Sequence, residues 1–341
     1  MDNNAEEGIM RREILELLRS NMPNAVSGEE ISNKFGVSRT AVWKHIQALK
    51  NAGYEIEAIP KKGYVLVGTP DKLNPEEIEA VLKTKWLGRN MKYVDSVNST
   101  NELAKAEANK GCADGFMAIA EEQVSGKGRL ARGWFSPHGH GCWVSVVLRP
   151  PFMPEEAPKC TLMAAIAVVK AVNKYKGVHA SIKWPNDVLL NGKKMVGILT
   201  EMNAEFGKIN YIVIGTGINV NVPKKLIPED LKDLAISIAD AAEEPVRRID
   251  VLADYLKNLE DLYETVLKKG FEPIFAEWRK YNNTLGQEVK VISLGDVYYG
   301  KAIDIDPSGL LIVQKKDGTI EKVIAGDVSI RPASAKGRRY Q

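Results

Sequence analysis

The sequence predicts an α+β chain in three parts: a winged helix-turn-helix over residues 1–68, a mixed α/β domain over 69–283, and a small SH3-like β-barrel over 284–341. Three observations predict it. The N-terminal part carries a helical apolar stripe, two capped helix starts and a two-stranded wing. The middle mixes strands and helices, with some strands close enough in sequence to form hairpins. The tail holds short strands separated by turn residues at regular spacing. A length of 341 residues also exceeds what one ordinary core organises.

In the N-terminal part, Met10, Ile14, Leu17 and Leu18 recur at helical spacing and predict a first helix with one apolar face. Ser27 followed by Glu30 is a capping-box signature for a short second helix ending near Phe35. Gly36 suits the left-handed turn after it, since a residue without Cβ reaches positive φ without a clash. Ser38 is a candidate N-cap for a third helix whose buried stripe is Val42, Ile46 and Leu49. Trp43 could reach DNA, but packing beside that stripe is the expectation. Residues 54–59 and 64–67 read as strands around a wing tip, Pro60-Lys61-Lys62-Gly63.

Gly68-Thr69-Pro70-Asp71 reads as a linker, and Asn74-Pro75-Glu76-Glu77 as the start of a new helix. Strands are expected over 92–97, 116–122, 143–148, 181–184, 187–190, 195–202 and 209–218, and helices over 100–109, 158–175, 251–269 and 274–281. The hairpin-like pair 187–190 and 195–202 favours a mixed sheet backed by helices over a doubly wound one. In the tail, strands over 288–292, 297–305, 310–313 and 319–324 are separated by Leu294-Gly295-Asp296, Pro307-Ser308-Gly309 and Lys316-Asp317-Gly318. The last residues, 333–341, are basic and expected to fray.

Hydrophobic content of 44% and charged content of 27% are those of a soluble globular protein. No apolar run reaches the ~18 residues of a membrane span, so no membrane partner is expected. The acidic N-terminus lacks the apolar core of a secretory signal, and the three cysteines are odd in number and far apart. Both point to reduced thiols in the cytoplasm. The net charge of +3 does not announce a nucleic-acid binder. Charge placement does. Between Ile31 and Tyr54 lie Lys34, Arg39, Lys44 and Lys50 and no acid. Positive charge thus gathers on the third helix and wing tip, the parts that would meet a groove and its phosphates. The DNA candidates are Ser38, Arg39, Thr40, Lys44, His45, Lys61 and Lys62. Against this stands a winged helix used for protein contacts, its cations merely solvated.

The densest signal is Ser125-Gly126-Lys127-Gly128-Arg129-Leu130-Ala131-Arg132-Gly133-Trp134. Glycine lets backbone N–H groups approach an anion closely, and the cations have no acid within the run. Lys183-Trp184-Pro185-Asn186-Asp187 and Gly192-Lys193-Lys194-Met195-Val196-Gly197 add more cations downstream. Together they suggest a pocket where a carboxylate and a phosphate are brought against each other, the chemistry of acyl adenylation. No Walker A sequence is present.

Ser99-Thr100-Asn101, Gln123 with the loop at 126–132, the run at 183–187, Lys194 with Gly197-Ile198-Leu199, and Gly215-Thr216-Gly217-Ile218-Asn219 occur in the order found in the biotin–protein ligases. With the N-terminal head, the chain resembles the bifunctional class of ligase and biotin operon repressor over nearly its whole length. The resemblance implies a class II synthetase-like central domain. It implies an enzyme that uses ATP and biotin to form biotinyl-5′-AMP, then transfers biotin to a lysine of a carrier protein of acetyl-CoA carboxylase. It further implies a repressor that dimerises when adenylate-bound and meets operator DNA.

Residue by residue, the resemblance implies that Ser99, Thr100, Asn101, Gln123, Lys127, Gly128, Arg129 and Lys194 contact biotin. Hydroxyls and amides suit the ureido head, which needs both donors and acceptors. Lys183 is the leading candidate to sit against the reacting carboxylate and α-phosphate, with Arg129 as the other catalytic cation. Arg132, Trp134 and Asn219 are candidates for the nucleotide, and Asp187 for Mg²⁺, although an Asp there also suits a turn cap. One of Ser99 and Thr100 could serve only as an N-cap, Lys194 could be an exposed turn lysine, and Trp134 could be core. The family loop reads Gly-Arg-Gly-Arg-x-Gly-Arg; here Lys127 and Ala131 replace an Arg and a Gly. His138-Gly139-His140-Gly141-Cys142 has a metal-tract look, but its spacing suits no common zinc site. Two other readings stay open: a non-catalytic biotin-sensing DNA-binding regulator, and a lipoate or octanoate transferase.

Overall fold

The computed structural model describes residues 3–293, 296–323 and 327–330. Leu294 and Gly295, Ile324 at the end of the strand expected over 319–324, and the basic tail at 333–341 lie outside the described residues. The chain forms two compact units, Met1–Lys72 and Leu73–Gln341.

The first unit contains α1 (Asn3–Ser20), α2 (Gly28–Phe35), α3 (Arg39–Asn51), β1 (Glu55–Ile59) and β2 (Gly63–Gly68). Its helix starts are capped as expected. Ser27 Oγ accepts the Glu30 amide at 3.0 Å, and Ser38 Oγ accepts that of Ala41 at 3.2 Å. Gly36 takes φ +67° and its N–H bonds back to Ser32 O. Ile14, Leu18, Ile31, Val42, Ile46, Leu49, Ile56 and Leu66 close a single small core. The wing strands pair antiparallel, with Ile59 opposite Gly63. Gly63 sits at φ +120°, and a Cβ there would lie 2.1 Å from Val26 O. Only glycine fits where Val26 and Tyr64 exchange backbone hydrogen bonds.

The second unit runs α4 (Pro75–Val81), β3 (Met91–Val97), α5 (Thr100–Asn109), β4 (Met117–Gln123), β5 (Gly141–Leu148), α6 (Lys159–Val172), β6 (Ala180–Lys183), β7 (Asp187–Leu190), β8 (Lys193–Glu205), β9 (Lys208–Asn219), α7 (Arg248–Lys269), α8 (Glu272–Tyr281), β10 (Glu288–Ser293), β11 (Asp296–Ile305), β12 (Leu311–Lys315), β13 (Ile320–Val323) and β14 (Asp327–Ile330). Strands β3 to β9 form one sheet in the order β3-β4-β5-β9-β8-β7-β6. The β3/β4 pair is parallel and the others antiparallel, the mixed sheet expected.

Strand alternation gives this sheet two dissimilar faces. Cys142, Val144, Val146 and Leu148 of β5 join Ile212 and Ile214 of β9 against α6 and α7. Val147 and Val213 point the other way, toward Ala104 and Ala108 of α5. On this second side β8 and β9 carry Gly197, Gly215 and Gly217, which leave a patch of bare backbone flanked by Trp143 and Ser145 of β5 and Leu199 of β8. A buried ion pair, Arg248 Nη1 to Glu121 Oε2 at 2.6 Å, ties α7 to β4. Glu121 Oε1 also accepts the Leu73 amide at 2.8 Å, where the unit begins. Burying two charges is tolerable because each has a partner.

The C-terminal strands form a five-stranded antiparallel sheet in the order β13-β12-β11-β10-β14. Strand β14 was not expected from sequence. Val289, Val291, Ala302, Leu311 and Val313 share one continuous core with Ile274 and Phe275 of α8. Backbone and side-chain bonds reinforce the join. Asn283 N donates to Ile182 O at 2.7 Å, and Trp184 Nε1 donates to Gly309 O at 3.0 Å.

Candidate functional site

The bare patch of the central sheet is the floor of the site. Register places Gly197 opposite Gly217 and Gly215 opposite Ser145. A Cβ on Gly217 would lie 2.2 Å from Trp134 Nε1, and one on Gly197 would lie 2.9 Å from the same indole. Glycines here let an aromatic ring lie flat on the backbone. Trp134 is thus half-buried over the floor, and its Nε1 is buried without a hydrogen-bond partner. Lys194 Nζ stands 5.1 Å from the ring centroid, a cation–π distance.

One wall is the start of α5. Ser99 occupies the N-cap position, yet its side chain makes no capping bond. Thr100 offers both its amide and its hydroxyl to Gln123 Oε1, at 2.9 and 3.0 Å. Gln123 Nε2 then donates to Ser136 Oγ at 2.9 Å. Ser145 Oγ lies 2.8 Å from Thr100 Oγ1 and 2.6 Å from Asn101 Oδ1. Thr100, Asn101 and Gln123 are therefore one connected polar wall through Ser145 and Ser136, and Ser99, Thr100 and Asn101 are buried. Ser136 and Ser145 belong to it and were missed. The only sequence signal for Ser145 is a hydroxyl inside an otherwise apolar run, Trp143 to Leu148.

The loop at 125–134 folds back on itself. Gly128 N donates to Arg132 O at 2.7 Å, and Trp134 N to Gly126 O at 2.8 Å. Leu130 at its tip is exposed with φ +54°. Arg129 Nη1 reaches Asn186 Oδ1 at 3.1 Å, so the loop docks on the turn after Lys183. Lys127 points elsewhere, to Glu102 at 2.7 Å, and Arg132 is exposed. Glu102 is held below the usual carboxylate range by its bonds to Lys105 and Lys127.

Opposite lie the ammonium groups. Lys183 Nζ is 3.8 Å from Asp187 Oδ2, and Lys194 Nζ is 2.8 Å from Asp187 Oδ1 without hydrogen-bond alignment. Asp187, the Mg²⁺ candidate, is half-buried and forms ion pairs with both ammonium groups. Lys194 is not a solvated turn residue but part of this cluster. Asn219 is buried and its Nδ2 donates to Ile236 O at 3.4 Å, while Ile236 N donates to Lys194 O at 3.1 Å. Among the described residues no group of three or more His, Cys, Asp or Glu is placed to hold a metal ion. His138 pairs with Asp95 at 3.0 Å, and Cys142 is buried with Sγ on Arg248 O.

On the head, Thr40, Lys44, Lys61 and Lys62 are exposed, and Ser38 spends its hydroxyl on the cap. Arg39 pairs with Glu29 at 2.7 Å; with both side chains about two-thirds exposed, such a pair is weak and open to competition by phosphate. His45 is half-buried; burial lowers its pKa, with Glu7 opposing and Arg11 adding to the shift. Trp43 does not pack into the stripe: its indole is 53% exposed. One residue past Val42 turns it by about 100°. Val42, Ile46 and Leu49 close the core without it.

A glycine-floored site edged by amides, hydroxyls and cations, in a chain that also carries a winged helix, defines a ligand-activating enzyme of synthetase type with a DNA-binding head. The sequence matches the Biotin/lipoate A/B protein ligase family over residues 93–219, an HTH domain family over 11–65 and the Biotin protein ligase C terminal domain over 284–331. The Bifunctional ligase/repressor BirA of Bacillus subtilis (strain 168) is 40% identical over 321 residues, 94% of this chain and 98% of that protein. The protein of the same name from Escherichia coli (strain K12) is 30% identical over 307 residues, 90% of this chain and 93% of that one. A solved biotin protein ligase from Aquifex aeolicus, in complex with biotin and ATP, superposes with a TM-score of 0.62 at 27% identity, covering 72% of this chain and 100% of that one. The chain belongs to the family of bifunctional biotin–protein ligases and repressors.

Proposed function

We propose that the cleft joins biotin to AMP, then passes biotin to a carrier lysine, and that the adenylate it makes governs the DNA-binding head. The chain is an ATP-dependent biotin–protein ligase and a biotin-responsive repressor. In the first half-reaction a biotin carboxylate oxygen attacks the α-phosphorus of ATP and pyrophosphate leaves. In the second, the ε-nitrogen of an acceptor lysine attacks the acyl carbon, the C–O bond to AMP breaks, and AMP leaves.

The first step brings two anions together. At ~4 Å and an effective dielectric near 20, two unit charges repel by about 4 kcal/mol. Cations already in place remove that cost without reorganisation at the moment of reaction. Lys183 and Lys194, both within 4 Å of Asp187, are such a pair. Asp187 holds them when no ligand is present, and the ligand's carboxylate and phosphate take over as their partners. Arg129, anchored on Asn186, adds a planar fork for phosphate oxygens. The Ser99–Asn101 wall and Gln123 take the ureido head. Trp134 covers the adenine or the closed loop, with Arg132 and Asn219 as further nucleotide contacts.

A protein-held Mg²⁺ does not fit these residues. Asp187 is ion-paired with two ammonium groups, and among the described residues no group of three or more His, Cys, Asp or Glu is placed to hold a metal ion. Magnesium is assigned to the triphosphate itself, whose oxygens and water satisfy its octahedral demand. A biotin carboxyl carrier protein is the proposed acceptor. A homodimer of adenylate-bound chains is the proposed operator-binding form, by linkage between adenylate, dimer and DNA. No described helix is long and apolar enough to cross a membrane. The division at residues 68 and 283 is proposed as functional rather than as a gap in packing.

The observation that carries the reading is the convergence of Lys183, Lys194 and Arg129 beside the amide-lined cleft. Pyrophosphate release from purified protein, requiring both ATP and biotin and absent with lipoate, tests it. Release without biotin, or with lipoate alone, overturns it.

A further inference from the structure

Asn101 is held from three sides. Its Nδ2 donates to Glu201 Oε2 at 2.7 Å and to Leu199 O at 3.3 Å. Its Oδ1 faces Ser145 Oγ at 2.6 Å. Both amide protons are thereby spent on β8, so the oxygen, lying over Gly215, is the one atom of the amide with capacity left for a ligand. An amide can otherwise flip and exchange donor for acceptor.

We infer that Glu201 is a positioning residue of the biotin pocket: by holding the Asn101 amide nitrogen it turns Asn101 into a fixed acceptor, so that the pocket selects a ligand N–H there. Glu201 never touches the ligand; it acts through Asn101. The inference rests on the reading of Asn101 as a ureido contact. A urea carries two N–H donors, and the dithiolane of lipoate carries none, so one fixed acceptor distinguishes them. Ser145 fills one of the oxygen's two lone pairs; leaving the other buried and unpaired is costly, which is what makes such a site selective.

Glu201 has a second bond that offers a different route of action. Its Oε1 accepts Lys105 Nζ at 2.9 Å, Lys105 also reaches Glu102 at 2.7 Å, and Glu102 reaches Lys127 of the loop at 2.7 Å. Through that chain Glu201 would act on the loop rather than on Asn101. Lys105 separates the two routes, since its removal cuts the ion-pair chain and leaves the Asn101 bond intact.

The test uses the full-length protein, with biotin affinity by calorimetry and steady-state pyrophosphate release for E201A, E201Q, K105A, N101A and N101A/E201A. Thermal melting of each variant, without ligand, reports its folding. E201A is expected to weaken biotin about tenfold, the value of one bond to a charged group, with kcat within about twofold and the KM for ATP unchanged. E201Q keeps an acceptor for Asn101 and is expected to restore affinity to within about threefold of wild type. The double variant is expected to bind no more weakly than N101A, because Glu201 has nothing left to orient. Full additivity in the double variant, K105A matching E201A, or a fall in kcat at unchanged affinity overturns the inference. Unchanged biotin affinity in N101A overturns the ureido reading and the inference with it. A silent E201A beside a damaging N101A overturns Glu201's role alone.

Discussion

Asn101 and Gly215 are fitted to one another: a Cβ on Gly215 would stand 1.9 Å from Asn101 Oδ1. The two lie on different elements, α5 and β9, and Ser145 lies opposite Gly215 across the ladder while bonding the same oxygen. The amide can be buried against the sheet because the backbone beneath it is bare. The glycine serves close approach here, not an unusual backbone angle.

Gly215→Ala should therefore displace the Asn101 side chain. A loss of at least about tenfold in biotin affinity is expected, with roughly 1–3 kcal/mol of stability from overpacking. Calorimetry and denaturant melts check both. Unchanged affinity would mean that Asn101 is not part of the ureido wall.

Lys183→Ala should reduce biotin-dependent pyrophosphate release by at least about a hundredfold, the scale of removing a preorganised charge partner. Operator binding by the ligand-free protein should stay within about twofold. Normal turnover in this variant would remove Lys183 from its assigned role.

Trp43 and Lys44 are adjacent exposed residues of α3, one apolar and one cationic, and they should fail differently on DNA. Lys44→Ala should lower operator affinity and reduce the salt dependence by about one counterion. Trp43→Ala should weaken the operator about tenfold with the salt slope unchanged, as apolar contact to base edges requires. Mobility-shift titrations at several salt concentrations measure both, and ligation should be unaffected. Equal salt slopes for the two variants would contradict this division.

His45 should give the head a dependence on pH. Burial puts its folded pKa below its unfolded value of about 6.5. Between the two values the unfolded state binds more protons, so stability rises with pH in that window. It is fully present above pH ~6.5 and is lost as pH falls toward the folded pKa. Hydrogen exchange over residues 31–54 in the full chain should show weaker protection at pH ~5.5 than at ~7.5 once intrinsic rates are corrected. His45→Gln should flatten the difference. A difference of equal size in that variant would assign it to other groups.

Helix α5 was legible almost to the residue, and so were Ser38 as a cap and Gly36 as a left-handed stop. Such signals involve residues three or four apart, whose backbone and side-chain preferences act alone. The 125–134 loop stands out in the sequence because three glycines and three cations share ten positions, whereas the approach of Lys183 and Lys194 to one carboxylate is visible only in the structure. The placement of Trp43 was misread, since a periodic stripe identifies which residues can be buried but not where the core ends. Strand β14, Asp327–Ile330, was not expected, since its pairing with β10, distant in sequence, is what makes it a strand.

The sequence by itself determined the local elements, their caps and the inventory of charges, since these depend on near neighbours along the chain. Only the tertiary structure decided that Gly197 and Gly217 would lie beneath Trp134, and that Glu201 would hold Asn101 from a distance of 100 positions. Those contacts depend on strand register, and a slip of one residue would turn Glu201 and the glycines to the opposite face of the sheet.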